Sequence, residues 1–131
     1  MNTIKTKLVE QLTNVEIDLL AAQALGYDAF VRTSQSRNYP HVWVKHKGIF
    51  SPTTVAKDMQ TLIEFAKIGI VPPMGDEDIY WTAYVKGDII KRTHDREIVA
   101  RKRSFELADA VCRCFIELMC GDEVEVDASV K

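Results

Sequence analysis

Six cationic side chains crowd into thirteen residues of this sequence: Lys91, Arg92, Arg96, Arg101, Lys102 and Arg103, against Asp95 and Glu97. Contacts to phosphate need such local density, because each neutralised phosphate takes its own cation. The last three precede the predicted start of a helix, where free backbone N–H groups favour an anion. The chemistry on offer is anion binding, to an acidic protein partner or to nucleic acid. A plainer reading of the same run is a solvated strand edge, since lysine and arginine discourage edge-to-edge pairing.

Other reactive side chains form no comparable set. Asp76, Glu77 and Asp78 supply the oxygen ligands a hard cation wants. They follow the Pro72-Pro73 pair in a loop and are read as solvated. Cys112, Cys114 and Cys120 lie on or beside one predicted helix, where residues two apart point in different directions. His41, His46 and His94 are scattered. No zinc-type spacing arises, so no metal is expected and the cysteines read as small buried hydrophobes. A nucleophile needs a base and an orienting group beside it. No Gly-x-Ser-x-Gly elbow, phosphate-cradling glycine loop or His-Glu-x-x-His is present. No catalytic residue and no cofactor is therefore expected. Trp43, Tyr80, Trp81 and Tyr84 fall in predicted strands and are read as core packing rather than base-stacking surfaces.

The whole chain is less polarised than its basic run. Its 131 residues carry 17 lysines and arginines against 19 acids, a formal charge of −2. That balance favours no class of partner. The length suits one domain spanning 1–131. No apolar run is long enough to cross a bilayer, and Met1 to Lys7 lack the apolar core of a signal peptide. A cytoplasmic protein without a membrane contact is the expectation.

Three helices and about four strands must position these groups. Thr13 and Glu16 have the spacing of a capping box, and Ile17, Leu20, Ala21, Ala24 and Leu25 then recur as a helical stripe ending at Gly26. Residues 27–39 read as a loop with a short strand at Ala29 to Arg32, and His41 to Lys45 as a strand. Ser51 and Pro52 look like the cap and first turn of a second helix, lined by Val55, Met59, Leu62, Ile63 and Ala66. Ile79 to Val85 is bulky on both faces, which marks a central strand. Lys86-Gly87-Asp88 reads as a turn, and Glu97 to Ala100 as a further strand. Ser104 reads as the cap of a last helix carrying Ala108, Val111, Cys112, Phe115 and Met119, stopped at Gly121. Asp122 to Val126 then alternates, with Val124 and Val126 on one side. The expected fold is α+β, a small and mainly antiparallel sheet of about four strands with three helices packed on it.

Several of these segments resemble the NinX-like family of phage proteins. Phe50-Ser51-Pro52 with Thr54 resembles its Ser-Pro-Ser-Thr segment, and Leu62-Ile63-Glu64 its apolar pair and glutamate. Trp81 with Ala83 resembles its Trp-x-Ala strand, and Arg113 beside Cys112 and Cys114 its Arg-Cys. Gly121 to Val126 is the closest match. Together they run in order over roughly residues 14 to 127. Where the family has Asp-Trp-Ala-Gln-Gly-Gly, this chain has Val55-Ala56-Lys57-Asp58-Met59-Gln60, which exchanges a turn for a helix. The resemblance implies an accessory protein of a tailed phage or prophage, acting in the host cytoplasm. The expected activity is non-enzymatic binding that modulates a host or phage protein, a host-defence system among them. A small nucleic-acid-binding module using the basic run is the alternative.

Overall fold

In a computed structural model of the chain, residues 4–34, 37–75, 78–89 and 96–127 are described. The elements run β1 (Ile4–Leu8), a single 3-10 turn (Val9–Gln11), α1 (Asn14–Ala24), β2 (Ala29–Ser34), β3 (Arg37–Val44), β4 (Gly48–Ile49) and α2 (Ala56–Ala66). After these come β5 (Gly69–Val71), β6 (Trp81–Ile89), β7 (Arg96–Ser104), α3 (Leu107–Cys120) and β8 (Glu123–Asp127). No helix among the described residues is long and apolar enough to cross a membrane.

The α+β class is as expected, but the strands do not form one sheet. They divide into three small antiparallel sheets, β1–β8, β2–β3–β4 and β5–β6–β7. The division follows from chain order. Within each three-stranded group the strands pair with their sequence neighbours, and α1, α2 and α3 interrupt the chain between groups. As expected, β6 is central in its sheet.

The first helix starts as its sequence dictates. Thr13 Oγ1 accepts the Glu16 N–H at 3.3 Å, and the Glu16 carboxylate accepts the Thr13 N–H at 2.9 Å. Gly26, just past the end, has φ of +86°, the left-handed region where glycine carries no Cβ penalty. The other two helices begin later than the sequence implies. Ser104 is still extended, paired with Trp81 across the β6–β7 ladder, and the N-cap position of α3 falls to Glu106, which makes no side-chain cap bond. Ser51 and Pro52 lie in a turn closed by the Thr54 and Val55 N–H groups on the Ser51 carbonyl, so α2 starts only at Ala56. Lys86-Gly87-Asp88 is not a turn. It lies inside β6, at a shift of register between Lys86 and Ile89, where glycine marks a bulge.

One hydrophobic cluster gathers α1, α2, α3 and the inner faces of the sheets. Helix α3 supplies its centre, with Val111, Cys112, Cys114, Phe115 and Ile116 fully buried. It packs on β6 and β7 and touches α1 and α2. Leu20, Ala24 and Trp81 pack on the margin of this core, half-buried. In β8 the expected alternation holds: Val124 and Val126 are buried while Glu123 and Glu125 face water.

Candidate functional site: a cleft between helix α1 and the turn before α2

Helix α1 is packed on several sides, against α3 and against β2 and β3. Two of its acids, Glu16 and Asp18, are buried by that packing. A buried carboxylate must find donors or give up its charge. Glu16 takes the Lys7 ammonium at 2.9 Å besides the Thr13 N–H. Burial pushes its pKa up, but the Thr13 N–H and Lys7 outweigh that and hold the carboxyl below the ordinary range.

Asp18 is served by the turn at 51–54. Its carboxylate accepts the Ser51 hydroxyl at 3.0 Å, the Thr53 N–H at 3.1 Å and the Thr53 hydroxyl at 3.0 Å. Burial still dominates, with repulsion from Asp58 added, and raises its pKa to about 6 against these bonds. The turn is braced from the other side as well. Asp58 of α2 accepts the Ser51 N–H at 2.9 Å, and the Ser51 and Thr54 hydroxyls lie 2.6 Å apart. Pro52 is fully buried beneath. The apparent capping serine of α2 is therefore spent on α1.

This network walls a cleft of about 870 Å³, whose lining includes Asp18, His41, Lys47, Ser51, Lys57 and Asp58. His41 is 8% exposed, and its Nδ1 is buried without a hydrogen-bond partner among the described residues. Leaving such an atom unpaired costs about 1–3 kcal/mol, which a ligand group can recover. Tyr27 also lines the cleft. Its ring meets Phe50 edge-on at 5.6 Å, with the Lys47 ammonium 4.8 Å from its centroid. The site thus offers acceptors, donors, both signs of charge and one aromatic wall.

The basic run is arranged otherwise. Lys91 and Arg92 lie outside the described residues. Arg96 opens β7 opposite Ile89. Period-two alternation then splits the remaining three. Arg101 and Arg103 point outward and are exposed, whereas Lys102 turns toward α3. There it pairs with Glu10 and, at 2.6 Å, with Glu117. Burial alone would lower the Lys102 pKa, but its bonds to the two glutamates raise it, and the same contact lowers that of Glu10. Arg103 reaches Asp78 at 3.0 Å, which gives one member of the acidic loop a partner. Asp76 and Glu77 lie outside the described residues. Of the aromatic residues expected in the core, Trp81 joins it, while Tyr80 and Tyr84 stand outside the buried cluster and Trp43 is half-buried under Arg32.

Two of the three cysteines on α3 are the small buried hydrophobes expected, whereas Cys120, the last residue of the helix, is exposed. Cys112 and Cys114 are fully buried, and burial pushes both thiols up, that of Cys114 to about 12. Neither is a thiolate at neutral pH, so neither is a ready nucleophile.

The cleft is not assembled from any local motif, so residue spacing does not reveal it. The available signal is Asp18 itself. An acid set between Ile17, Leu20 and Ala21 on a mainly apolar helix has to be answered by donors elsewhere, and Ser51-Pro52-Thr53-Thr54 is one of two places in the chain with three hydroxyls in four residues. No protein-family model matches this sequence, and no curated protein matches it.

Proposed function

We propose that this chain is a non-enzymatic binding protein, an accessory protein of a tailed phage or prophage resembling the NinX-like family. It acts in the host cytoplasm by engaging a host or phage protein, and the cleft beside Asp18 receives a polar segment of that partner. One observation carries this reading: the Asp18–Ser51–Thr53 network satisfies itself and leaves the rest of the cleft free to recognise. All three donors that reach Asp18 come from the turn, so the carboxylate acts as a clamp. A nucleophilic serine needs a base free to take its proton and a third group to orient that base. Ser51 instead shares its hydroxyl between Asp18 and Thr54. The groups left over are His41 Nδ1, Lys47, Lys57 and Tyr27, which suit hydrogen bonding and stacking with a peptide. Phe50, Ser51, Thr53 and Thr54, from one of the segments that resemble the family, form part of the lining of this cleft.

Blocking the mouth tests the proposal. Lys57 and Thr61 stand on the cleft side of α2, exposed and half-buried respectively. Tagged protein incubated with host lysate should retain a defined partner at fixed stoichiometry. A Lys57→Glu/Thr61→Arg double variant should lose that partner while its melting temperature stays unchanged. Retention of the same partner by a folded double variant would overturn the assignment of the cleft.

A further inference from the structure

We propose that the outer face of the β5–β6–β7 sheet binds single-stranded nucleic acid, with Tyr84 as a base-stacking platform and Arg101, Arg103 and Lys86 as phosphate contacts. Helix α3 covers the inner face, where Ala83, Val85 and Ala100 are buried. The alternate residues Thr82, Tyr84 and Lys86 of β6 and Arg101 and Arg103 of β7 therefore share the outer face. Tyr84 stands directly opposite Arg101 on one side and Gly69 on the other.

Gly69 explains why the Tyr84 ring lies along the sheet. A Cβ at position 69 would come within 2.4 Å of the ring's Cζ and 2.7 Å of its hydroxyl oxygen. The hydroxyl end of the ring thus rests on the bare backbone of β5, a position any side chain would deny it. Held in that way, the ring is half-buried, neither sunk in the core nor free in solvent. The Lys86 ammonium lies 5.9 Å from its centroid.

A second aromatic site continues the face. The Tyr80 and Phe105 rings lie 4.6 Å apart, and the Arg103 guanidinium stands 5.0 Å from the Tyr80 centroid. Phe105 is 63% exposed, an unusual position for a phenylalanine at a strand end. By strand rise, Tyr80 and Tyr84 are about 13 Å apart, a span of several nucleotides. Cations interleaved with aromatic faces are what sequence-tolerant single-strand binding uses: the rings stack bases and the cations track phosphates. An acidic protein needs only the cations. Asp78 occupies Arg103 through an exposed pair, a contact weak enough for a phosphate to displace. This face shares no residue with the cleft beside Asp18, so the two proposals stand or fall separately.

Fluorescence anisotropy with a labelled 15-mer of deoxythymidine, and the uridine counterpart, tests the face. The whole chain should bind at low salt, with log affinity falling linearly against log salt. Tyr84→Leu should weaken binding roughly tenfold or more, and Tyr84→Phe, which keeps the ring, should retain it. Arg101→Glu with Arg103→Glu should flatten the salt dependence by about one to two in slope. Lys45→Glu, at an exposed lysine outside both surfaces, should change nothing. If Tyr84→Leu fails to fold, Arg101→Glu alone, at an exposed strand position, still reports on the face. Absence of binding by the native chain overturns the proposal. So does binding indifferent to Tyr84→Leu, or equal competition by a poly-glutamate peptide, because each means the rings contribute nothing.

Discussion

Arg113, in the middle of α3, donates from its guanidinium to the backbone carbonyl of Leu12 at 3.1 Å, joining residues a hundred and one positions apart. The same side chain donates to the Val9 carbonyl and, through Nε, to Asp109 at 2.9 Å. It therefore satisfies the carbonyls of the 3-10 turn at the entry to α1 and is itself fixed by an acid one helical turn away. Lysine carries one compact ammonium and cannot reproduce this fork. Arg113→Lys should destabilise by about 1–3 kcal/mol, because a half-buried carbonyl loses its donor. Urea unfolding measures this, and an unchanged midpoint would show that the fork is dispensable.

Asp18 makes stability depend on pH in an unusual direction. Its folded pKa of about 6 stands above the ordinary 3.8. Between those values the folded chain holds more protons than the unfolded one, so this group's contribution falls as pH rises from about 4 to about 6 and then levels off. The ionised form costs on the order of 1–3 kcal/mol above that window. Glu10 and Glu16, whose pKa values are lowered, act in the opposite sense and lose their contribution as pH falls. A comparison with Asp18→Asn isolates the aspartate. The variant should gain on the native protein as pH rises from 4 to 6 and hold a constant difference above 7. A difference in unfolding free energy that stays flat across that range is the contrary result.

Phe115 is fully buried at the centre of α3, with the Phe65 ring meeting it at 6.0 Å in an edge-on arrangement. Phe115→Ala removes that burial and leaves a cavity, for a loss of about 3–5 kcal/mol. Thermal unfolding of the variant at the native temperature midpoint would contradict the placement of α3 in the core.

Local signals in the sequence foretold local structure. The Thr13–Glu16 box, the glycine stop at Gly121 and the period-two tail at Glu123 to Val126 each depend on neighbours within a few residues, and each forms as read. Ser51 and Ser104 were misleading because neither stands at the N-cap position. The Ser51 hydroxyl is claimed by Asp18, thirty-three residues back, while Ser104 is still in the ladder opposite Trp81, two residues before the N-cap Glu106, whose N–H its hydroxyl accepts. The sheet count was hidden because strand pairing is a long-range choice. Lys102 shows the same limit at the level of charge. Six cations in a row of sequence look like one patch, but strand alternation sends Lys102 to Glu117 and leaves Arg101 and Arg103 on the opposite face. The cleft was the least legible feature, since its acid, its hydroxyls and its histidine come from α1, the turn before α2 and β3.

The smallest sheet sets a timetable for folding. β1 and β8 pair in antiparallel register from Ile4↔Asp127 to Leu8↔Glu123, so nearly the whole chain lies between partners. Closing so long a loop is entropically costly, and contacts of such separation form slowly. On a ribosome, β1 is synthesised first and waits without its partner until β8 has emerged. Through that interval the strand is an open edge, able to pair with another chain. Its exposed lysines Lys5 and, partly, Lys7 supply the charge that discourages such pairing. Pulsed hydrogen exchange during refolding should find the β1 amides among the last to gain protection, well after those of α3.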